Sequence, residues 1–194
     1  MVNGMDKRHR WMLAAALGIL MVVTRYHHFG SILHLPDASW AIFFAGGFYL
    51  RRPGWLAGFL LLAGGIDYFA ITQGGSSGYC ISPAYPFLLP AYGALWLGGR
   101  VFAHHYHGVA RDLVRLLVTA LVATTVCFFI SNGAFYWLSG RVDAPNLSEY
   151  ASRFLRYYPM FLRGTLGYLA VFAAIQSIFS ILRDIYRAPG QAPR

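Results

Sequence analysis

Cys80 lies in a run of small residues, Gly74-Gly75-Ser76-Ser77-Gly78-Tyr79-Cys80-Ile81-Ser82-Pro83, between two long apolar segments. Glycines on both sides let a bound object approach the backbone closely, and such a loop emerges from a membrane rather than crossing it. A thiol there is a soft metal ligand or a nucleophile, depending on its ionisation. The plainer alternative is a tight turn filled by a small side chain. A nucleophilic cysteine needs an activating base, and His28 is the candidate on the same side of the chain. Its neighbour His27 cannot share one helical face with it, so at most one of the two points inward.

Asp67, in Gly64-Gly65-Ile66-Asp67-Tyr68-Phe69, is the acid deep within an apolar segment. A carboxylate there costs about 2.5–3.5 kcal/mol on insertion scales, so it needs a partner or a polar cavity. It either serves a ligand site shared with the Cys80 loop or locks two helices through Arg25 or Arg163. Tyr85, just past the loop and followed by Pro86, is fixed at the lip of the same site, able to stack or to donate a hydrogen bond, or else anchors at the interface. Arg153 and Arg156 sit on a short helix expected after a turn at 141–146, capped by Asn146 or Ser148. Either arginine can meet a ligand or lipid headgroups. His104-His105-Tyr106-His107 lacks the i, i+4 pairing and neighbouring acid of a helical metal site and reads as interfacial polar residues. Cys127, in mid-segment, reads as a small core residue, and without a C-x-x-C pair a thiol oxidoreductase is not expected.

These residues need a scaffold, and composition says which. The chain is 57% hydrophobic and 12% charged, with mean hydropathy +0.48; a soluble domain carries about 25% charged residues. A polytopic, all-α membrane protein is expected, one domain over 1–194 with a frayed tail at 188–194. The net charge of +9 does not point to nucleic acid, because the arginines are dispersed at the ends of apolar segments, as membrane topology requires. Six segments can be drawn: Trp11–Thr24, Ala38–Leu50, Gly54–Thr72, Ala84–Phe102, Leu113–Leu138 and Tyr158–Leu182. The last four have spanning length. The first is expected to run on past Arg25 towards Leu35, and the second to tilt, extend or lean on snorkelling by Arg51 and Arg52. Basic residues divide 11 to 5 between the two sides, which puts both termini in the cytoplasm and Cys80 outside. The first segment follows basic residues as a signal peptide would, but lacks an A-x-A site and reads as a retained helix. Its Ala14-x-x-x-Gly18 pair allows close helix approach, within the bundle or against a membrane partner.

Taken together, the six segments, the small-residue stripe, and the glycine-rich Cys80 loop with Asp67 before it and Tyr85 after it resemble the BtuM family. Its members are small bacterial cobalamin (vitamin B12) transporters related to the S-components of energy-coupling-factor (ECF) transporters. The resemblance covers essentially the whole chain and is most specific at the cysteine loop. It implies location in the inner (cytoplasmic) membrane, Cys80 as axial ligand to the cobalt of cobalamin, and His28, Asp67, Tyr85 and Arg153 lining the pocket. It also implies an ECF-type transmembrane subunit and ATPases as partners docking at Ala14 and Gly18, unless this member works alone. No G-x-x-x-x-G-K-[ST] run is present, so the chain has no ATP site of that kind. The competing expectation is a membrane thiol enzyme with Cys80 as nucleophile and His28 as base, and a third is an assembly subunit in which Cys80 is incidental.

Overall fold

The computed structural model describes residues 6–26, 35–74, 78 and 81–187. His28, Cys80 and the 188–194 tail lie outside the described residues. Among those described there are six α-helices and no strand. They are α1 (Lys7–Tyr26), α2 (Ser39–Tyr49), α3 (Pro53–Thr72), α4 (Leu88–His105), α5 (Arg111–Leu138) and α6 (Leu147–Arg187). A 3₁₀ turn, Tyr85–Phe87, leads into α4. Among the described residues three helices are long and apolar enough to cross a membrane: α3, α5 and the Leu147–Leu182 part of α6. Although α4 was expected with them, its 18 residues end in Arg100, His104 and His105, which dilute its hydropathy.

The shortest helix is the most enclosed. In α2 every residue from Ser39 to Phe48 is buried, as expected of a helix that is apolar all round. At about 1.5 Å per residue it reaches only about 16 Å. The expected remedies were tilting, extension or snorkelling by Arg51 and Arg52. The structure encloses α2 within the bundle, and Arg51 donates to the carbonyl oxygens of Phe48 (3.3 Å) and Ala103 (3.4 Å). Close contact with α4 depends on glycines, because a side chain at Gly47 would collide with the Trp96 carbonyl and one at Gly99 with the Phe44 carbonyl. Aromatic rings fill the rest of the centre: Phe43 stacks on Tyr92 at 4.3 Å and Trp40 on Phe161 at 4.9 Å.

The first helix does run past Arg25, to Tyr26; the stretch 27–34 towards Leu35 lies outside the described residues, and Leu35 itself, before Pro36, is outside any helix. One expected boundary is corrected. The expected short helix after residue 146 is continuous with the last apolar segment, and α6 runs through Pro159. Proline removes one helical hydrogen bond, but ring contacts to α5 hold both sides of that point. Phe128 meets Phe154 at 5.0 Å and Phe161 at 5.5 Å, and Tyr158 shares a 2.6 Å hydrogen bond with Thr125. The start of α6 is capped as expected by Asn146, whose side-chain oxygen accepts from the Glu149 N–H at 2.9 Å.

Candidate functional site

Arg25 is turned inward by the helical phase of α1. The buried positions Ala14, Leu17, Met21, Thr24 and Arg25 recur every three or four residues, and Arg25 ends that stripe. Its guanidinium donates two hydrogen bonds to Asp67 of α3, from Nε to Oδ1 at 2.7 Å and from Nη2 to Oδ2 at 2.6 Å. Such a bidentate, charge-assisted pair is the strongest arrangement open to these groups. Its third nitrogen, Nη1, donates to Tyr92 Oη of α4 (2.9 Å), Ser39 Oγ of α2 (3.1 Å) and Asp37 Oδ2 (3.4 Å). The arginine therefore ties together four helices. The alternatives for Asp67 were a pocket group or a lock with Arg25 or Arg163, and the structure pairs it with Arg25, leaving Arg163 exposed.

The cluster also holds described residues that flank the Cys80 loop and the His28 segment. Tyr85 donates to Asp67 Oδ2 at 2.8 Å, closing the chain on itself across the Cys80 loop between residues 18 positions apart. On the α3 side of that loop, the Gly74 N–H donates to the Phe69 carbonyl, and a side chain at Gly74 would press on the Ala70 carbonyl. On the other side, Ser82 Oγ accepts from the Ala84 N–H and the Ser82 carbonyl from the Tyr85 N–H. The described residues on either side of the His28 segment are tied in a similar way. Thr24 Oγ1 accepts from the Ala38 N–H at 3.2 Å, Asp37 accepts from both the N–H and hydroxyl of Ser39, and Tyr168 donates to the Pro36 carbonyl at 2.7 Å.

The remaining candidates take other positions. Arg153 lies between the rings of Tyr136 and Tyr157, its guanidinium carbon 5.7 Å from each centroid, with a buried Nε that has no hydrogen-bond partner. Among the described residues no hydrogen bond joins it to the Arg25 cluster. Ala14 is buried and Gly18 faces Leu62 of α3 at 3.5 Å, so this pair packs against α3, while Ala15 and Ala16 are exposed. Cys127 is a free thiol, fully buried in the core. Among the described residues no three His, Cys, Asp or Glu side chains gather as a metal site. His104 and His105 are exposed at the opposite end of α4.

Sequence reasoning had counted Arg25 as a charge of one membrane side, naming it only as one of two possible partners for Asp67. The signal was in its helical phase, seven residues after Gly18 and four after Met21. Ser39 and Tyr92 were missed outright; each is a polar residue within a buried helical face. In comparisons with known proteins, no protein-family model matches the chain and no curated protein matches it.

Proposed function

We propose that this chain binds cobalamin and carries it across the cytoplasmic membrane. The observation that supports this reading is the Arg25–Asp67–Tyr85 cluster, which fixes the flanks of the Cys80 loop and the His28 segment from one buried point. A ligand as large and amide-rich as a corrinoid needs a cleft with hydrogen-bonding groups and a loop held ready to receive it. On this reading the six helices form one membrane bundle with α2 enclosed by the others, the termini are cytoplasmic and the Cys80 loop faces outward, in line with the 11-to-5 division of basic residues.

Cys80 supplies the chemistry. Its thiolate donates an electron pair to the cobalt in place of the vitamin's own dimethylbenzimidazole base. This strong donor weakens a cyanide on the opposite face, which leaves with its bonding pair and takes up a proton from solvent. Cobalt keeps its +3 state, so the exchange needs no reductant. Asp67 acts by position, because its oxygens are already engaged by Arg25 and Tyr85. Arg153 and His28 offer polar contacts to the corrin periphery. Energy comes from outside the chain, from an ECF-type transmembrane subunit with its ATPases or from trapping of the product. The expected docking pair Ala14 and Gly18 packs against α3, so on this reading such a subunit meets the other face of α1, where Ala15 and Ala16 are exposed.

Absorption spectroscopy tests the reading. Protein purified with cyanocobalamin should be red with a thiolate-shifted spectrum, and should release cyanide. Cys80→Ser replaces a soft donor with a hard hydroxyl and should lose the shifted spectrum, bind weakly and keep the cyanide, while Cys127→Ser behaves as wild type. An unchanged spectrum in Cys80→Ser removes the cobalt–sulfur bond from the proposal. A colourless protein whose Cys80 instead becomes acylated would establish the thiol enzyme.

A further inference from the structure

Capping by Asn146 sets the phase of α6, so that Tyr150, Phe154 and Tyr158 recur every fourth residue towards α5. The Tyr150 ring is held by Phe129 and Tyr136 of α5, with centroids 6.1 and 5.3 Å away, and only 8% of the residue is exposed. Its hydroxyl is buried and has no hydrogen-bond partner in the protein. A hydroxyl in that position carries the full cost of leaving water, so native structures rarely keep one without something to satisfy it. The place where it lies says what that is. Tyr150 and Gly133 both line an open groove of about 360 Å³, and the Tyr150 oxygen is 3.3 Å from where a Cβ on Gly133 would stand.

The other walls are apolar. Phe87, from the 3₁₀ turn that carries Tyr85, faces Phe129, Ile130 and Trp137 of α5, and no lining side chain is charged. The polar side-chain atoms of the lining are the Tyr150 hydroxyl and the Trp137 indole N–H, both able to donate. The occupant is therefore an apolar body carrying an isolated hydrogen-bond acceptor. Depth narrows it further. Gly133 stands about 13 Å past the midpoint of the 28-residue α5, a helix apolar enough to cross a membrane. The hydrocarbon of a bilayer ends about 15 Å from its centre, where acyl chains give way to ester carbonyls. We propose that this groove holds one acyl chain of a membrane phospholipid, whose ester carbonyl accepts a hydrogen bond from Tyr150. A bare hydrocarbon chain would satisfy the walls but leave the hydroxyl unpaired. A charged headgroup would meet no counter-charge in the lining and stays outside the groove.

The experiment delipidates the purified full chain, exchanges in phosphatidylcholine with either ester-linked or ether-linked chains, and counts retained lipid by native mass spectrometry. The two lipids share headgroup and chain length, but the ether form has no carbonyl. The ester lipid should be preferred about fivefold, the value of one neutral hydrogen bond. Tyr150→Phe keeps the ring and removes the hydroxyl, so it should retain both lipids equally. In a maltoside detergent, which has no ester, the same variant should unfold at a midpoint no lower than wild type, because its hydroxyl has no partner in the protein. An ester lipid with a photoreactive group beside its carbonyl should label peptides from 85–88, 129–138 and 147–154. Equal retention of ester and ether lipid by wild type, an ester preference that survives in Tyr150→Phe, or labelling elsewhere would overturn the proposal. So would a lower midpoint for Tyr150→Phe in maltoside, or a second copy or another protein found covering these residues.

Discussion

Asp67 and Asp112 are both buried and both face an arginine, at opposite ends of the bundle. Asp112 finds Arg115 three positions along the same helix and three backbone N–H groups in the preceding loop. All its partners lie within a few residues of it, and it locks the α4–α5 turn. Asp67 finds Arg25, which is 42 positions away on another helix, and Tyr85 across a loop. Arg25 adds Ser39 and Tyr92 from two further helices. The two pairs differ little in chemistry but greatly in reach. One organises a turn, whereas the other exists only once four helices have packed. A buried pair of the second kind fails as a unit, since removing one partner strands the rest in a medium without water.

Arg25→Leu should break the comparison most severely. Leaving Asp67 buried and unpaired costs about 3–5 kcal/mol, seen as a lower midpoint in detergent unfolding. The double variant Arg25→Leu/Asp67→Leu should recover most of that loss, because an apolar pair of similar volume replaces an ion pair at little cost. Failure of the second change to rescue the first would mean that Arg25 acts mainly through Ser39 and Tyr92. Tyr85→Phe should cost less, about 1.5 kcal/mol for one hydrogen bond to a charged group. Its signature is local: alkylation of Cys80 by an impermeant reagent should quicken by more than the change in global stability explains. An unaltered alkylation rate would separate the tyrosine from control of the loop. Asp112→Asn should have the smallest effect, about 1 kcal/mol, because the amide oxygen still accepts backbone N–H groups and Arg115 is partly solvated. It should leave Cys80 alkylation untouched, and any change there would show that the two ends of the bundle communicate.

The two regions were also unequally legible. The Asn146 cap follows from spacing within a few residues, and the structure has it in place. The Arg25 cluster was half visible: the cost of burying Asp67 demanded a partner, but two arginines qualified. Choosing between them required knowing that α1 packs on α3 with Arg25 inward. The break expected between the outer helix and the last apolar segment is absent: α6 runs on through Pro159, held on both sides by ring contacts to α5 that no local rule registers.

What the sequence by itself determined was the helices and their approximate ends, because apolar run length, proline and capping residues act over a few positions. It also determined that Asp67 must be neutralised, since the cost of a bare carboxylate among apolar side chains does not depend on the fold. Tertiary structure decided that the shortest helix, α2, is the enclosed one, since its glycines admit α4 to backbone contact. It decided that Arg25, and not Arg163, is the internal clamp on Asp67. It also decided that an aromatic-walled cavity opens among α2, α4, α5 and α6. Each of these depends on which surfaces meet, and pairs of residues tens of positions apart carry no mark of that in the order of the chain.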